Sequence, residues 1–169
     1  PDSITSISDG TFSGCDSLDE VKLGTGITTI PSYLFDSCPK LKNIVMPYRV
    51  TSIKDHAFSN CTSLEGITIL RYVSSIDTTA FSYPDRLTIY GVAGTYTEEF
   101  ANANSIKFVA IDKPATEMSL SQTEVTLSKG NTANLALNVT PSDFTDEVSW
   151  KSSDSSIATI DNSGLLTAK

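Results

Sequence analysis

The sequence has few of the residues on which catalysis and nucleic-acid binding usually depend. It contains one histidine, no phosphate-binding glycine loop and no recognisable catalytic constellation. No apolar run approaches the roughly 20 residues of a membrane helix, and 12 basic residues against 20 acidic ones leave no basic face. Pro1 opens without a leader pattern, which favours a mature or excised soluble fragment. We therefore expect no nucleic-acid partner, no direct membrane insertion and no cofactor.

A 23-residue repeat fills the first half of the chain. An Ile/Val-x-x-Ile segment occurs at residues 4–7, 27–30, 50–53 and 73–76. The same step relates three further columns: Phe12, Phe35, Phe58 and Phe81; Cys15, Cys38 and Cys61; Leu18, Leu41, Leu64 and Leu87. A unit this short cannot bury its apolar residues alone, so successive units must stack into a solenoid.

Alternation within each repeat predicts a strand. Val21 and Leu23 point inward while Glu20 and Lys22 point outward, and residues 41–46 and 64–69 repeat the pattern. These segments predict a parallel sheet, and the Ile-x-x-Ile segments predict a second, shorter wall. Four coils at a strand spacing of about 4.8 Å make a slab about 20 Å long.

The repeat motif carries a family resemblance. The pattern Ile-x-x-Ile, Phe-x-x-Cys-x-x-Leu-x-x-Ile-x-Leu/Met-Pro, seen around Met46-Pro47 and Ala57-Phe58, resembles the BspA-like leucine-rich repeats over roughly residues 1–111. The fourth unit departs from it at Tyr83-Pro84-Asp85, as at the end of an array. Thr95 and Glu98 have capping-box spacing, which predicts a helix through about residue 103 and a closing strand at 106–111. We assign residues 1–112 to this domain, with a cap at 91–111.

The second half predicts a different, all-β domain at residues 113–169. Leu135, Leu137 and Val139 alternate with polar residues, Val148 and Trp150 repeat the pattern, and residues 157–167 read as a hairpin. The order and spacing of several short motifs resemble a group 2 bacterial immunoglobulin-like domain: Met118-x-Leu120, Leu127-x-x-Gly130, Leu135-x-Leu137-x-Val139-x-Pro141, Val148-x-Trp150 and the segment from Ile157 to Leu165. That family pattern continues past Lys169, so we expect an incomplete sandwich with an unpaired sheet edge. The predicted fold is thus mainly β.

The reactive side chains have structural explanations. Cys15, Cys38 and Cys61 occupy one repeat column and are interpreted as small buried residues, with a disulfide between coils and a metal site as alternatives. His56 shares its column with Gly10, Tyr33 and Thr79, which indicates a solvent-facing position. Five acidic residues of the second half are interpreted as solvated loop charge, with calcium as the alternative: Asp143, Asp146, Glu147, Asp154 and Asp161. We assign no catalytic, cofactor or metal residue.

A binding face is the remaining candidate. Tyrosine and arginine are favoured interface anchors, and two such pairs follow adjacent repeat strands. The candidate partner-binding residues are these pairs and the outward strand column: Tyr48, Arg49, Arg71, Tyr72, Lys22, Val45 and Thr68. The alternative interpretation is loop side chains that pack over the solenoid edge.

The resemblances imply a bacterial protein that is secreted or on the cell surface. They predict a non-enzymatic binding or adhesion module whose repeats contact an extracellular or host protein. Two alternatives stay open: an accessory or spacer region of a larger secreted carbohydrate-active enzyme, in which case a glycan is the ligand, and a purely structural stalk.

Overall fold

The computed structural model describes residues 2–82, 85–141 and 144–169. The fold is mainly β: a solenoid of about four turns with one helix, followed by an antiparallel β region. In chain order the elements are β1 Thr29–Ile30, β2 Asn43–Val45, β3 Ser52–Ile53, β4 Gly66–Ile69, β5 Ser75–Ile76, β6 Thr88–Gly91, α1 Tyr96–Ala103, β7 Lys107–Ala110, β8 Glu117–Leu120, β9 Thr132–Asn134, β10 Leu137–Thr140, β11 Ala158–Ile160 and β12 Leu165–Ala168.

Two parallel sheets form opposite walls of the solenoid, as the repeat predicts. The Ile-x-x-Ile segments give the sheet β1-β3-β5, and the longer strands give the sheet β2-β4-β6-β7. The 23-residue step sets the register, because Thr29 is the partner of Ser52 in one wall and Asn43 is the partner of Gly66 in the other. The step from β4 to β6 is 22 residues, from Gly66 to Thr88, and the step from β6 to β7 is 19 residues, from Thr88 to Lys107.

The phenylalanine column fills the space between the walls. Successive rings from Phe12 to Phe81 stack with centroid separations of 5.6, 5.4 and 5.6 Å. Backbone bonds follow the same step, since the Phe35 amide donates to the Ala57 carbonyl and the Phe58 amide to the Ala80 carbonyl, both at 2.9 Å. The stacked apolar columns therefore form one continuous core.

The first repeat departs from the prediction. Residues 18–23 do not form a strand, and β2 is the end strand of its sheet among the described residues. Leu23 is buried and Lys22 is exposed, so the inward and outward positions are correct even without the ladder. Packing of the apolar positions thus does not require backbone pairing at this end of the stack.

Helix α1 closes the other end of the solenoid. Phe100 is buried and its ring lies 6.4 Å from that of Phe81, and β7 then pairs in parallel with β6. The predicted capping box does not form. Thr95 instead donates its hydroxyl to the Val92 carbonyl at 2.7 Å, while the Glu98 carboxylate accepts the Gly94 amide at 2.7 Å. The predicted departure of the fourth unit at Tyr83-Pro84 lies outside the described residues.

The described residues of the antiparallel region form two sheets, β10-β8 and β11-β12-β9. The predicted hairpin is β11-β12, with Ile160 opposite Leu166. The predicted strand at residues 148–150 does not form. The reason is a side chain, because the tyrosine hydroxyl of Tyr72 accepts the Val148 amide and donates to its carbonyl. Those backbone groups are therefore satisfied without a neighbouring strand.

Candidate functional site

Two tyrosine–arginine pairs project from the solenoid toward the antiparallel region. Positions 48 and 71 are related by the repeat, as are 49 and 72, so the pairs lie on adjacent coils. Arg71 donates from Nε and Nη2 to the Thr145 carbonyl oxygen at 2.9 and 2.6 Å. Tyr72 binds both backbone groups of Val148. We call Tyr48, Arg49, Arg71 and Tyr72 the docking ledge.

The other half of the docking ledge is buried. Tyr48 is 6% exposed, its ring lies 5.6 Å from that of Phe144, and its Oη accepts the Leu137 amide at 3.1 Å. Burial raises the pKa of the Tyr48 phenol, so the neutral hydroxyl is favoured there. Arg49 is 7% exposed, and its Nη2 donates to the Asn134 side-chain oxygen at 3.4 Å. Its Nε is buried without a hydrogen-bond partner among the described residues.

An apolar cluster joins the two regions beside these hydrogen bonds. Tyr48 and Leu70 of the solenoid and Leu137 and Phe144 of the antiparallel region are all buried in it. Further residues pack against this cluster: Ala115, Val139, Val148 and Trp150. The two regions therefore share a core, and this core with the docking ledge sets their relative position.

The docking ledge differs from the outward ridge that the sequence predicts. Two of its members are buried, and all four bind residues 134–148 of the same chain. A ring or guanidinium that offers apolar surface and a hydrogen-bonding group suits an intramolecular interface as well as an intermolecular one. That these residues bind a separate partner stays a prediction, and it requires the two regions to separate.

The outward strand column lies on a different surface. Lys22 is exposed, Val45 is 40% exposed on β2, and Thr68 is half-buried on β4. Tyr90 of β6 continues the column as the ladder partner of Thr68. Val45, Thr68 and Tyr90 stand on the outer face of the larger solenoid sheet, as the alternation predicts.

This face leads into a cleft of about 1070 Å³. Residues 19–23 and 42–48 line it on the solenoid side, and β8, β10 and Phe144 line it on the antiparallel side. Tyr48, Leu137 and Phe144 line the cleft and also belong to the shared core, so the cleft continues from the interface between the two regions. A volume of this size is ample for several side chains of a ligand. Sequence reasoning missed the antiparallel wall, because only the tertiary fold brings it to Val45.

The three cysteines are free, and two of them, Cys38 and Cys61, are buried. Cys38 and Cys61 donate their thiols to the carbonyl oxygens of Phe12 and Phe35 at 3.2 and 3.1 Å, one coil back. Cys15 is half-buried, and none of the three forms a disulfide. Burial raises the pKa of Cys38 and raises that of Cys61 to about 12. The thiolate needed for metal binding or nucleophilic attack is thus disfavoured in the buried pair.

His56 is on the surface, as its column predicts. Its ring stacks on Tyr33 with a centroid separation of 4.9 Å, and its Nδ1 lies 3.5 Å from a carboxylate oxygen of Asp55. Gly10, Tyr33 and His56 all have positive φ, between 54° and 65°. The first three members of the column therefore share a left-handed turn, which Thr79 does not adopt.

Two of the loop carboxylates, those of Asp154 and Asp161, accept hydrogen bonds that stabilise turns. Asp161 accepts the Ser163 hydroxyl and the amides of Ser163 and Leu165, and these bonds lower the pKa of its carboxyl. Asp154 binds Ser156 in the same way, and Asp146 accepts the Ala115 amide at 2.6 Å. Within the described part of the chain no three acidic, histidine or cysteine side chains group as metal ligands would. Asp143 lies outside those residues.

Among residues 2–82, 85–141 and 144–169 no helix has the length and apolar character of a membrane span.

Two protein-family models match the sequence, one in each half of the chain. The family model for the BspA type leucine rich repeat region (6 copies) matches residues 1–98, and that for the bacterial Ig-like domain (group 2) matches residues 114–169. No curated protein matches the chain.

A solved structure is similar to part of the fold. A leucine rich cell surface protein from Faecalibacterium prausnitzii A2-165 is 36% identical, with a TM-score of 0.55 over 60% of this chain. The match covers 27% of that protein, so this chain spans about a quarter of its length. The chain belongs to the BspA-type leucine-rich repeat family, and a group 2 bacterial Ig-like domain follows its repeats.

Proposed function

We propose that this chain is a non-enzymatic protein-binding module of a bacterial surface or secreted protein, and that the cleft contacts the partner. The repeat family and the similarity to a leucine rich cell surface protein support the surface assignment. The partner in this proposal is an extracellular or host protein, which makes the module an adhesion element.

The observation that carries the proposal is the composite cleft. Exposed apolar side chains face it from two regions, Val45 from the solenoid and Met118 from the antiparallel region, which are 40% and 59% exposed. Large exposed apolar groups that converge on one concavity are typical of a binding surface. A spacer that only separated other domains would gain nothing from such a cleft.

The absence of assigned chemistry agrees with a binding role. Burial raises the pKa of the Cys61 thiol and so disfavours its thiolate. His56 stacks on Tyr33, and the hydroxyl beside its Nδ1, that of Thr79 at 3.4 Å, donates its proton to the Asp77 carboxylate at 2.6 Å. We therefore assign the protein no reaction.

We also propose two domains, at residues 1–112 and 113–169. The backbone between β7 and β8 forms no strand, and it bonds to the second region: the Thr145 amide donates to the Lys113 carbonyl at 2.7 Å. Limited proteolysis tests this boundary. We expect that cleavage near residue 113 requires the docking ledge to be weakened first.

A binding screen tests the function. The purified chain is presented to extracellular-matrix proteins and to a glycan array, together with Val45→Asp and the control Ile157→Asp. Ile157 is 68% exposed and does not line the cleft. We expect saturable binding to a protein that Val45→Asp abolishes and Ile157→Asp retains. If Val45→Asp still binds the protein, the cleft is not the binding site. Binding to glycans alone supports the accessory region of a carbohydrate-active enzyme. If neither proteins nor glycans bind, the structural stalk is the better explanation.

A further inference from the structure

The hydrogen-bond pattern shows which way the backbone of β10 points. The Ser121 amide donates to the Ala136 carbonyl at 2.8 Å, and Leu137 lies opposite Leu120. Bonded residues alternate along an antiparallel ladder, so even-numbered residues of β10 bond to β8 and odd-numbered residues face away. The Leu137 amide accordingly reaches across to Tyr48 Oη. The outward amide and carbonyl of Val139 have no hydrogen-bond partner among the described residues.

This free edge borders the cleft. Val139 lines the cleft, and it lies opposite Met118 on the neighbouring strand, so the two side chains share one face of the sheet. Val21 and Val45 line the solenoid side. An apolar side chain that entered between these walls would remove exposed apolar surface from water, which is favourable by about 25 cal/mol per Å².

The charges around the cleft are mainly negative. Four carboxylates and two ammonium groups line it: Asp2, Asp19, Glu20 and Glu117, with Lys22 and Lys42. The Thr25 amide donates to the Asp2 carboxylate at 2.8 Å and lowers its pKa, so this carboxyl is ionised at neutral pH. The net charge of the whole chain is also negative, at -8. The field at the cleft therefore attracts a cationic ligand.

We propose that the cleft binds an extended, basic segment of a partner polypeptide, whose main chain pairs with the outer edge of β10 at Val139 and whose alternate apolar side chains contact Val45 and Met118. This inference rests on the proposed protein-binding function. An added strand supplies main-chain hydrogen bonds, alternate side chains supply specificity, and basic residues complement the acidic rim.

Three short labelled peptides probe this chemistry by fluorescence anisotropy. One alternates lysine and valine, one alternates glutamate and valine, and one alternates lysine and serine. The lysine–valine peptide is expected to bind at least about tenfold more tightly than either of the others, and its affinity should fall as salt rises. A fourth peptide, N-methylated on the valine amides, is expected to lose affinity because it cannot complete the ladder.

Matched variants locate the binding. Val45→Ser and Met118→Ser remove apolar surface without adding a charge that would attract lysine, and they are expected to weaken binding of the lysine–valine peptide about tenfold or more, whereas Ile157→Ser leaves it unchanged. Equal binding of the acidic peptide, no binding of the lysine–valine peptide at millimolar concentration, or insensitivity to both cleft variants overturns the inference. If a protein from the screen binds through Val45 while the peptides do not, the inference fails and the proposed function stands. If no protein binds, the proposed function itself fails.

Discussion

Removal of one hydroxyl should weaken the joint between the two regions. In Tyr48→Phe the ring remains against Phe144, but the Leu137 amide, held by Tyr48 Oη at 3.1 Å, loses its acceptor. Both residues are buried, so water cannot replace the lost group without rearrangement. A buried donor left unsatisfied costs about 1–3 kcal/mol.

The single tryptophan provides the assay. Trp150 packs against the shared core in the antiparallel region, so its fluorescence reports that region, whereas far-ultraviolet circular dichroism reports both. For a chain of this size each kcal/mol shifts the melting temperature by about 2–4 °C, so Tyr48→Phe should lower the Trp150 transition by about 2–12 °C. The altered residue lies 89 positions before its hydrogen-bond partner, so the shift measures coupling between the regions.

The control removes a hydroxyl from an exposed tyrosine. Tyr33 is 43% exposed, and Tyr33→Phe should change stability by less than about 0.5 kcal/mol. If Tyr48→Phe matches Tyr33→Phe, or moves only the circular-dichroism transition, then Tyr48 does not stabilise the joint and the docking ledge loses its role.

Three further predictions concern single sites. Gly164→Ala should destabilise the antiparallel region more than Gly130→Ala does, as measured by the midpoint of the Trp150 fluorescence transition. Both glycines have positive φ, but only a Cβ at residue 164 would meet a backbone oxygen, that of Leu135 at 2.5 Å. Equal losses in the two variants would contradict the steric argument. Phe35→Ala should cost about 3–5 kcal/mol in urea unfolding, since it leaves a cavity in the stacked column; a loss below about 1 kcal/mol would show that the column collapses around the gap. The pKa of Cys61 is raised from 9.0 to about 12, so its stabilising contribution is complete below pH 9 and is lost as the pH rises toward 12. Urea midpoints at pH 8 and 10.5 should therefore fall less in Cys61→Ala than in the unaltered chain, and an equal fall would contradict the assignment.

The solenoid follows from the sequence because its contacts repeat at one spacing. A residue such as Phe35 must lie between its copies one repeat before and one after, and the observed rings stack in that order. The inward positions of the solenoid strands, the closing helix α1 and the hairpin β11-β12 are likewise confirmed. Each depends on local alternation or turn chemistry, which a single sequence contains.

Three local predictions were wrong, and in two of them another group formed the hydrogen bond that the prediction required. Residues 148–150 form no strand because Tyr72 satisfies Val148. The capping box is absent because the Glu98 amide donates to the Thr95 carbonyl and the Glu98 carboxylate accepts the Gly94 amide. Residues 18–23 lack a ladder although their apolar side chains pack. Alternation predicts which side chains are buried, but it cannot predict which acceptor a backbone amide finds.

The sequence by itself determined where tyrosine and arginine recur, on adjacent coils at positions 48, 49, 71 and 72. Only the tertiary structure decided what they contact, since Arg71 and Tyr48 bond to residues 74 and 89 positions further along the chain. The same packing brings β10 beside the solenoid and so creates the cleft. Side chains with apolar surface and hydrogen-bonding groups suit a partner or the chain's own second domain equally, and the choice depends on which surface is held nearest.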